Sequence, residues 1–528
     1  MKTCTNCQCS FEIDERDRAF YERMSVPDPT HCPDCRNQRR LAARNERNLY
    51  HRKCDATGEN ILSLYSQDKP YKVIKESVWW SDDFDPMKYG RDYDFSRPFF
   101  EQFNELLLDV PRRAMHQDGT NENADYVTFG MNNKNAYLAF ACFYCEDIYY
   151  SEWTGFSKDC MDLLISMKCE LSYELVDCVD CYQCAYSTNS KNCHSSYLLD
   201  DCRNCSNCIA CKNLRNKEYH IYNRPVSKEE FEKFKSEMLN GGLEEEKKRF
   251  NEWKLKMPNV CSRMTNAENC SGEYIENAKN CHNCFDLVLG SEDLKHVYFG
   301  GWKGKDMMDC SFAGKDSQLL YEIHATTNAN NCAFSSFLRG GSDVFYSESM
   351  YSSTYCFGCT SLNHKNYCIL NKQYTREEYE ALVPKIIEHM KSTGEWGEFF
   401  PSSISPFAYN ETLAQILYPM TKQDVLEKGW KWRDEDEAGE VREDLQICVD
   451  CGKNYRVIEQ EAKLLGRLGL PEPKSCPKCR RSRRAASRQP YKLWDRNCDK
   501  CSVAISTSYA PERPEIVYCE ACYLEEVY

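Results

Sequence analysis

From Cys142 to Leu214 every third residue is uncharged, and every cysteine in that stretch falls on this one track. Its other members include Ile148, Leu163, Ser172, Leu175, Ser187 and Leu199. A period of three is neither the about 2 of a continuous strand nor the about 3.6 of a helix. The pattern therefore predicts short extended pieces separated by bends, with one residue in three facing inward. Small residues at an inward position imply a narrow interior.

A coarser repeat lies over the finer one. In lines of 24 residues, Cys145, Cys169 and Cys193 align, as do Cys160, Cys184 and Cys208, and Tyr149, Tyr173 and Tyr197. The unit returns 148 residues later, where Cys184, Cys208, Cys211 and Leu214 match Cys332, Cys356, Cys359 and Leu362. There the uncharged track is read as Met308, Ser311, Gly314, Ser317, Leu320, Ile323, Thr326, Ala329, Cys332, Ser335 and Leu338. Units that cannot bury their own faces gain a core by stacking. The expected fold class is mainly β: a duplicated, right-handed β-solenoid of about 24-residue coils with accessory helices, Cys184 beneath Cys208, flanked by small zinc-ribbon domains at both ends.

Each half exits through a capping box, Ser227-x-x-Glu230 and Thr375-x-x-Glu378, that opens a charged amphipathic helix. The first helix is broken at Asn240-Gly241-Gly242. The expected divisions are an N-terminal ribbon at 1–80, a connecting segment with a helix at 81–120, solenoid halves at 121–226 and 258–374, and a helical segment at 227–257. An aromatic-rich helical and irregular segment follows at 375–433, then an acidic linker at 434–444 and a double ribbon at 445–528.

Composition changes the picture through cysteine. The 528 residues include 35 cysteines, a disulfide framework if secreted. The opening MKTCTNCQCS has no apolar signal-peptide core, and no uncharged apolar run has membrane-spanning length. A cytoplasmic chain with no membrane partner is the expectation, its CxxC pairs read as metal ligands.

Those pairs are duplicated. Cys4, Cys7, Cys32 and Cys35 recur 444 residues later as Cys448, Cys451, Cys476 and Cys479. Pro27, Pro29, Pro33, Arg36, Arg39 and Arg40 coincide with Pro471, Pro473, Pro477, Arg480, Arg483 and Arg484. Two knuckles presenting four thiolates about 2.3 Å from the metal close a tetrahedral zinc shell, which implies structure and not catalysis. Rubredoxin-like iron is the rival for such a set. The C-terminal copy adds Cys498, Cys501, Cys519 and Cys522. In the N-terminal copy Cys54 persists, but Thr57, Lys75 and Val78 replace the last three. Sequential pairing leaves that copy one intact site and one lost, whereas cross-bracing would spoil both. Three structural zinc ions are therefore expected. The pattern, with Phe20-Tyr21 after the first knuckle, resembles the zinc-ribbon, treble-clef-like domains of a family of uncharacterised bacterial proteins in which two such domains bracket a cysteine-rich body. The second copy departs from it with Leu464 and Leu465, and the resemblance brings no activity with it.

The net charge of -14 argues against wholesale coating by nucleic acid, yet arginines cluster after each second knuckle. Arg36, Arg39, Arg40, Arg480, Arg483 and Arg484 are candidate phosphate contacts for nucleic acid, or contacts for an acidic protein partner. The competing reading is that they clamp the protein's own acidic body. Asp177, Asp180, Asp200 and Asp201 suggest the carboxylates of a solenoid carbohydrate-active enzyme, but Asp is also expected beside turns. The runs Cys178, Cys181, Cys184 and Cys202, Cys205, Cys208, Cys211 suggest an iron-sulfur or redox protein, against a ladder of small apolar thiols. The tyrosine column could stack a sugar or base, or simply pack. With no nucleophile constellation, a non-enzymatic zinc-binding scaffold or binding protein is the expected function. Oligomeric state is left open.

Overall fold

A computed structural model describes residues 1–434 and 445–528, so the acidic linker, apart from Asp434, lies outside the described residues. The protein is mainly β, 34% strand against 25% helix, and rich in parallel sheet. Among the described residues no helix is long and apolar enough to cross a membrane. Two compact units are interleaved in sequence. One comprises Met1–Met115, Ser262–Asp434 and Pro490–Leu493; the other comprises His116–Cys261, the described part of Glu435–Gln489, and Trp494–Tyr528. Each ribbon thus belongs with the cysteine-rich half farther from it in sequence.

In the unit built on His116–Cys261, successive strands of a nine-stranded sheet pair in parallel, except the last, Arg224–Pro225, which pairs antiparallel with Glu218–Ile221. Lys134 lies opposite Glu146, Glu146 opposite Lys158, and Lys158 opposite Glu170. The strand-to-strand step is therefore 12 residues and not the expected 24. Cys184 consequently sits two rungs from Cys208, with Ser196 between. The 24-residue repeat is a chemical alternation over two rungs, since Cys160 pairs with Ser172.

The period of three has a backbone cause. From Phe129 to Tyr222 every third residue is left-handed, with φ near +50°. Each triplet is two extended residues and one αL residue, and the residue after the αL position faces inward. Non-glycine residues pay for this conformation, Asn and Asp least. Asn135, Asp147, Asp159, Asp177, Asp180, Asn189, Asn192, Asp201 and Asn204 all occupy it.

The inward track is hydrogen-bonded as well as small, which corrects the picture of a purely apolar ladder. The Ser196 hydroxyl donates to the His194 carbonyl (2.7 Å) and accepts the Cys208 N–H one rung on (3.0 Å). Ser151, Ser157 and Ser166 accept the N–H groups of Leu163, Cys169 and Cys178 in the same way. The thiols donate likewise, Cys160 to the carbonyls of Lys158 (3.1 Å) and Cys169 (3.4 Å). Ser and Cys interchange on the track because each fits a narrow interior and meets backbone polar groups there.

The second unit carries a nine-stranded sheet with a less regular step. Met264 pairs with Ile275, Glu292 with Lys305, Lys305 with Gln318, and Thr354 with Asn366, so the step varies from 11 to 13 residues. The extra residue changes which side chains face in. Met307, Cys310 and Ala313 are buried in the inner cluster, not Met308, Ser311 and Gly314. Met308 belongs instead to the outer core. The track then resumes as read at Ser317, Leu320 and Ile323. Gly314 sits where a Cβ would lie 2.1 Å from the Gly301 carbonyl oxygen, so glycine is required for the two rungs to approach.

Both sheets end alike. Asn223 exchanges hydrogen bonds with the Lys212 backbone and Asn371 with the Thr360 backbone. The capping boxes of Ser227 and Thr375 then open helices Lys228–Glu237 and Arg376–Ser392. Helicity breaks at Asn240 and Gly241, as the sequence predicts.

Candidate metal centres

Three groups of four cysteine sulfurs, each mutually within 4.8 Å, could hold a metal ion: Cys4, Cys7, Cys32 and Cys35; Cys448, Cys451, Cys476 and Cys479; Cys498, Cys501, Cys519 and Cys522. Sequential pairing is therefore the arrangement found. Each first knuckle is a tight turn closed by a left-handed residue, Gln8 (φ 61°), Gly452 (φ 68°) or Ser502 (φ 62°), whose N–H returns to the carbonyl of the first cysteine. Each second knuckle opens a helix, with Cys32, Cys476 or Cys519 at the N-cap of Pro33–Leu41, Pro477–Ser487 or Glu520–Val527. Helix N-termini favour anionic ligands such as thiolate.

The donor set suits a thiophilic ion. The N–H groups of Cys476 and Cys519 donate to Cys448 and Cys498 sulfur at 3.2 Å, and Asn6 donates to Cys35 sulfur at 3.2 Å. Burial opposes ionisation of Cys448 and Cys498, but backbone N–H donors outweigh it and lower each thiol to about 6. Hydrogen bonding from the Cys35 thiol lowers Cys32 to about 5. Thiolates are what a metal takes. The remaining shifts run both ways: in the groups of four, burial pushes Cys7 up to about 11, and on the inward track burial pushes Cys145 up to about 11 while hydrogen bonds from neighbouring thiols lower Cys181 and Cys205. Among the described residues the track cysteines form no group of the kind the ribbons form.

The lost fourth site keeps its backbone. Gly58 N–H returns to the Cys54 carbonyl and Lys75 N–H points at Cys54 sulfur (3.4 Å), as Ser502 and Cys519 do around Cys498. With Thr57, Lys75 and Val78 in place of ligands, Cys54 packs among Ile74, Trp79 and Tyr351, with Val78 and Phe84 against them. An apolar cluster occupies the position.

The arginines turn inward. Arg480 is fully buried, its Nε 2.7 Å from Asp162 and its Nη2 2.7 Å from Glu461, while Arg484 reaches Asp162 at 2.6 Å. Burial alone would disfavour the Arg480 cation, but Asp162, with Tyr173 and Glu461, holds it charged. In the other unit Arg36 meets Asp309 at 2.8 Å, Arg40 meets Glu322 at 3.0 Å, and Arg39 bridges Glu322 (3.2 Å) and Glu398 (2.8 Å). Arg36, Arg40, Arg480 and Arg484 are therefore placed against the protein's own carboxylates and not on a surface open to phosphate. Arg483 is half-exposed and pairs with Asp450 at 2.9 Å.

Asp162 and Asp309, unremarked in the sequence, are equivalent. Each is a fully buried αL residue just before an inward one. They lie 147 residues apart and not 148, so the one-residue change of register hid the match. The substitution of Leu464 and Leu465 for Phe20 and Tyr21 is explained as well. Phe20 and Tyr21 lie against Tyr321, with ring centroids 6.1 and 5.3 Å away, and the two leucines share a cluster with Tyr173. The proposed carboxylate pair is dispersed: Asp177 pairs with Arg488 (2.9 Å) and Asp201 with Arg215 (3.1 Å).

No known family model matches the chain, and no curated protein matches it.

Proposed function

We propose that the protein is a non-enzymatic scaffold in which zinc-held ribbons clamp two β-solenoids. The observation that carries this is the convergence of 12 cysteines into three groups of four sulfurs, the first two followed by arginines paired with carboxylates of the sheet. A Cys4 shell leaves zinc no open position for a substrate, so its contribution is folding free energy. The 12-residue parallel step supports the solenoid reading, with a coil half the length the cysteine repeat suggested. The free thiols fit a reducing compartment such as the cytoplasm. In this reading the arginines act as internal clamps, and no nucleic-acid partner is needed to explain them.

Metal analysis tests it. Protein purified without chelator is expected to be colourless and to hold three zinc ions per chain. One ion or fewer, or iron with visible absorbance, overturns the reading.

A further inference from the structure

We propose that the uncovered end of the tyrosine column is a cleft for a neutral saccharide. The column runs along one outer face in register, Tyr137, Tyr149, Met161, Tyr173, Ala185 and Tyr197. From Met161 onward every member is buried, packed with Phe231 and with Leu464, Leu465 and Leu468 of the ribbon helix. Helix Glu459–Leu468 packs on strands Lys158–Met161 and Glu170–Val176, and its first turn reaches the first two members through Gln460 without burying them. Tyr137 and Tyr149 are left half-buried beside a cleft of about 310 Å³, closed at the side by Ile458 and Gln460. That volume lies at the small end of ligand sites.

The lining selects the ligand. Tyr126 touches Tyr137, ring centroids 5.1 Å apart at 60°, so the two meet as an inclined pair in mutual contact. A cage for a quaternary ammonium needs rings standing apart on opposite sides of the cation, and rings in mutual contact do not provide it. A single aromatic face, such as Tyr137 or Tyr149 can offer, suits the C–H face of a pyranose. Polar groups line the rest. Asn123 donates to Asn135 (3.0 Å) and Asn135 to Asp147 (3.0 Å), which fixes both amides. The Asp125 carboxylate lines the cleft without a partner among the described residues. No cationic side chain is present in the lining, so phosphate, carboxylate and nucleotide ligands find no countercharge there and meet the Asp125 carboxylate. Hydroxyl groups, which donate, are what carboxylate and amide oxygens take.

This inference does not depend on which metal the cysteines hold. The test uses the full chain, its metal content checked beforehand, titrated with neutral gluco-, galacto-, manno- and xylo-oligosaccharides by saturation-transfer NMR and calorimetry. At least one series is expected to bind. Tyr137→Ala and Tyr149→Ala should each weaken binding tenfold or more, and Asp125→Asn several-fold. Tyr137→Phe, which keeps the platform, should retain most of the affinity and confirm that the fold survives. Phe156→Ala, at an exposed ring stacked on Tyr144 elsewhere on the same sheet, should change nothing. The proposal is overturned if no saccharide binds, if Tyr137→Ala and Tyr149→Ala leave binding intact, or if tetramethylammonium binds in preference.

Discussion

At the scale of single residues, the inward track depends on side chains that are small and can both give and take a hydrogen bond. Ser196 shows both halves: it donates to the His194 carbonyl and accepts the Cys208 N–H. Ser196→Ala leaves that buried N–H unmatched and should cost about 1–3 kcal/mol. Ser196→Cys should cost less, because sulfur accepts backbone N–H elsewhere on the track, from Asn223 at Cys211 and from Asn371 at Cys359. Equal losses for the two variants in chemical denaturation would show that packing alone matters. The track itself was readable from the sequence, since a charge there would be stranded without water. The hydrogen bonds were not, because they join residues 12 apart across a step that the cysteine repeat disguised as 24.

Among elements, the decisive contact is between a ribbon helix and a strand. Helix Pro477–Ser487 starts at Cys476, a member of one four-cysteine group, and Arg480 and Arg484 lie on the turns that follow. Capping at Cys476 therefore aims both guanidinium groups at Asp162. Two buried cations share Asp162 and Glu461, so removing one carboxylate strands charge. Asp162→Asn, which keeps a residue tolerant of αL geometry, should destabilise this unit by about 3–5 kcal/mol. The measurement is denaturant unfolding followed by a probe in this unit. A loss under about 1 kcal/mol would mean that the pair is not desolvated in solution. The arginines were visible in the sequence as a basic cluster, but their acidic partners were not. One buried Asp among 82 acidic residues carries no local mark of its burial.

For the whole molecule, the interleaving of the chain is what sequence order conceals. Fragment 116–261 carries Asp162 and Asp177, whose arginine partners lie in 445–528. Co-expressed with tagged 445–528 it should co-purify as a stable complex, whereas tagged 1–115, whose arginines pair with Asp309 and Glu322, should not retain it. Equal retention by both tagged fragments would refute the division into these units. Local chemistry alone placed the 12 cysteines that gather in groups of four, the capping boxes and most of the uncharged inward track. Each depends on neighbours a few residues apart or on a repeat that survives in the letters. Tertiary packing decided the rest: the length of the rung, the shift of the track at Ala313, which sheet each ribbon covers, the inward pairing of the arginines, and where the tyrosine column is left open. These depend on which distant surfaces meet and exclude water, and burial turns an ordinary Asp or Tyr into a clamp or a platform without changing the residue.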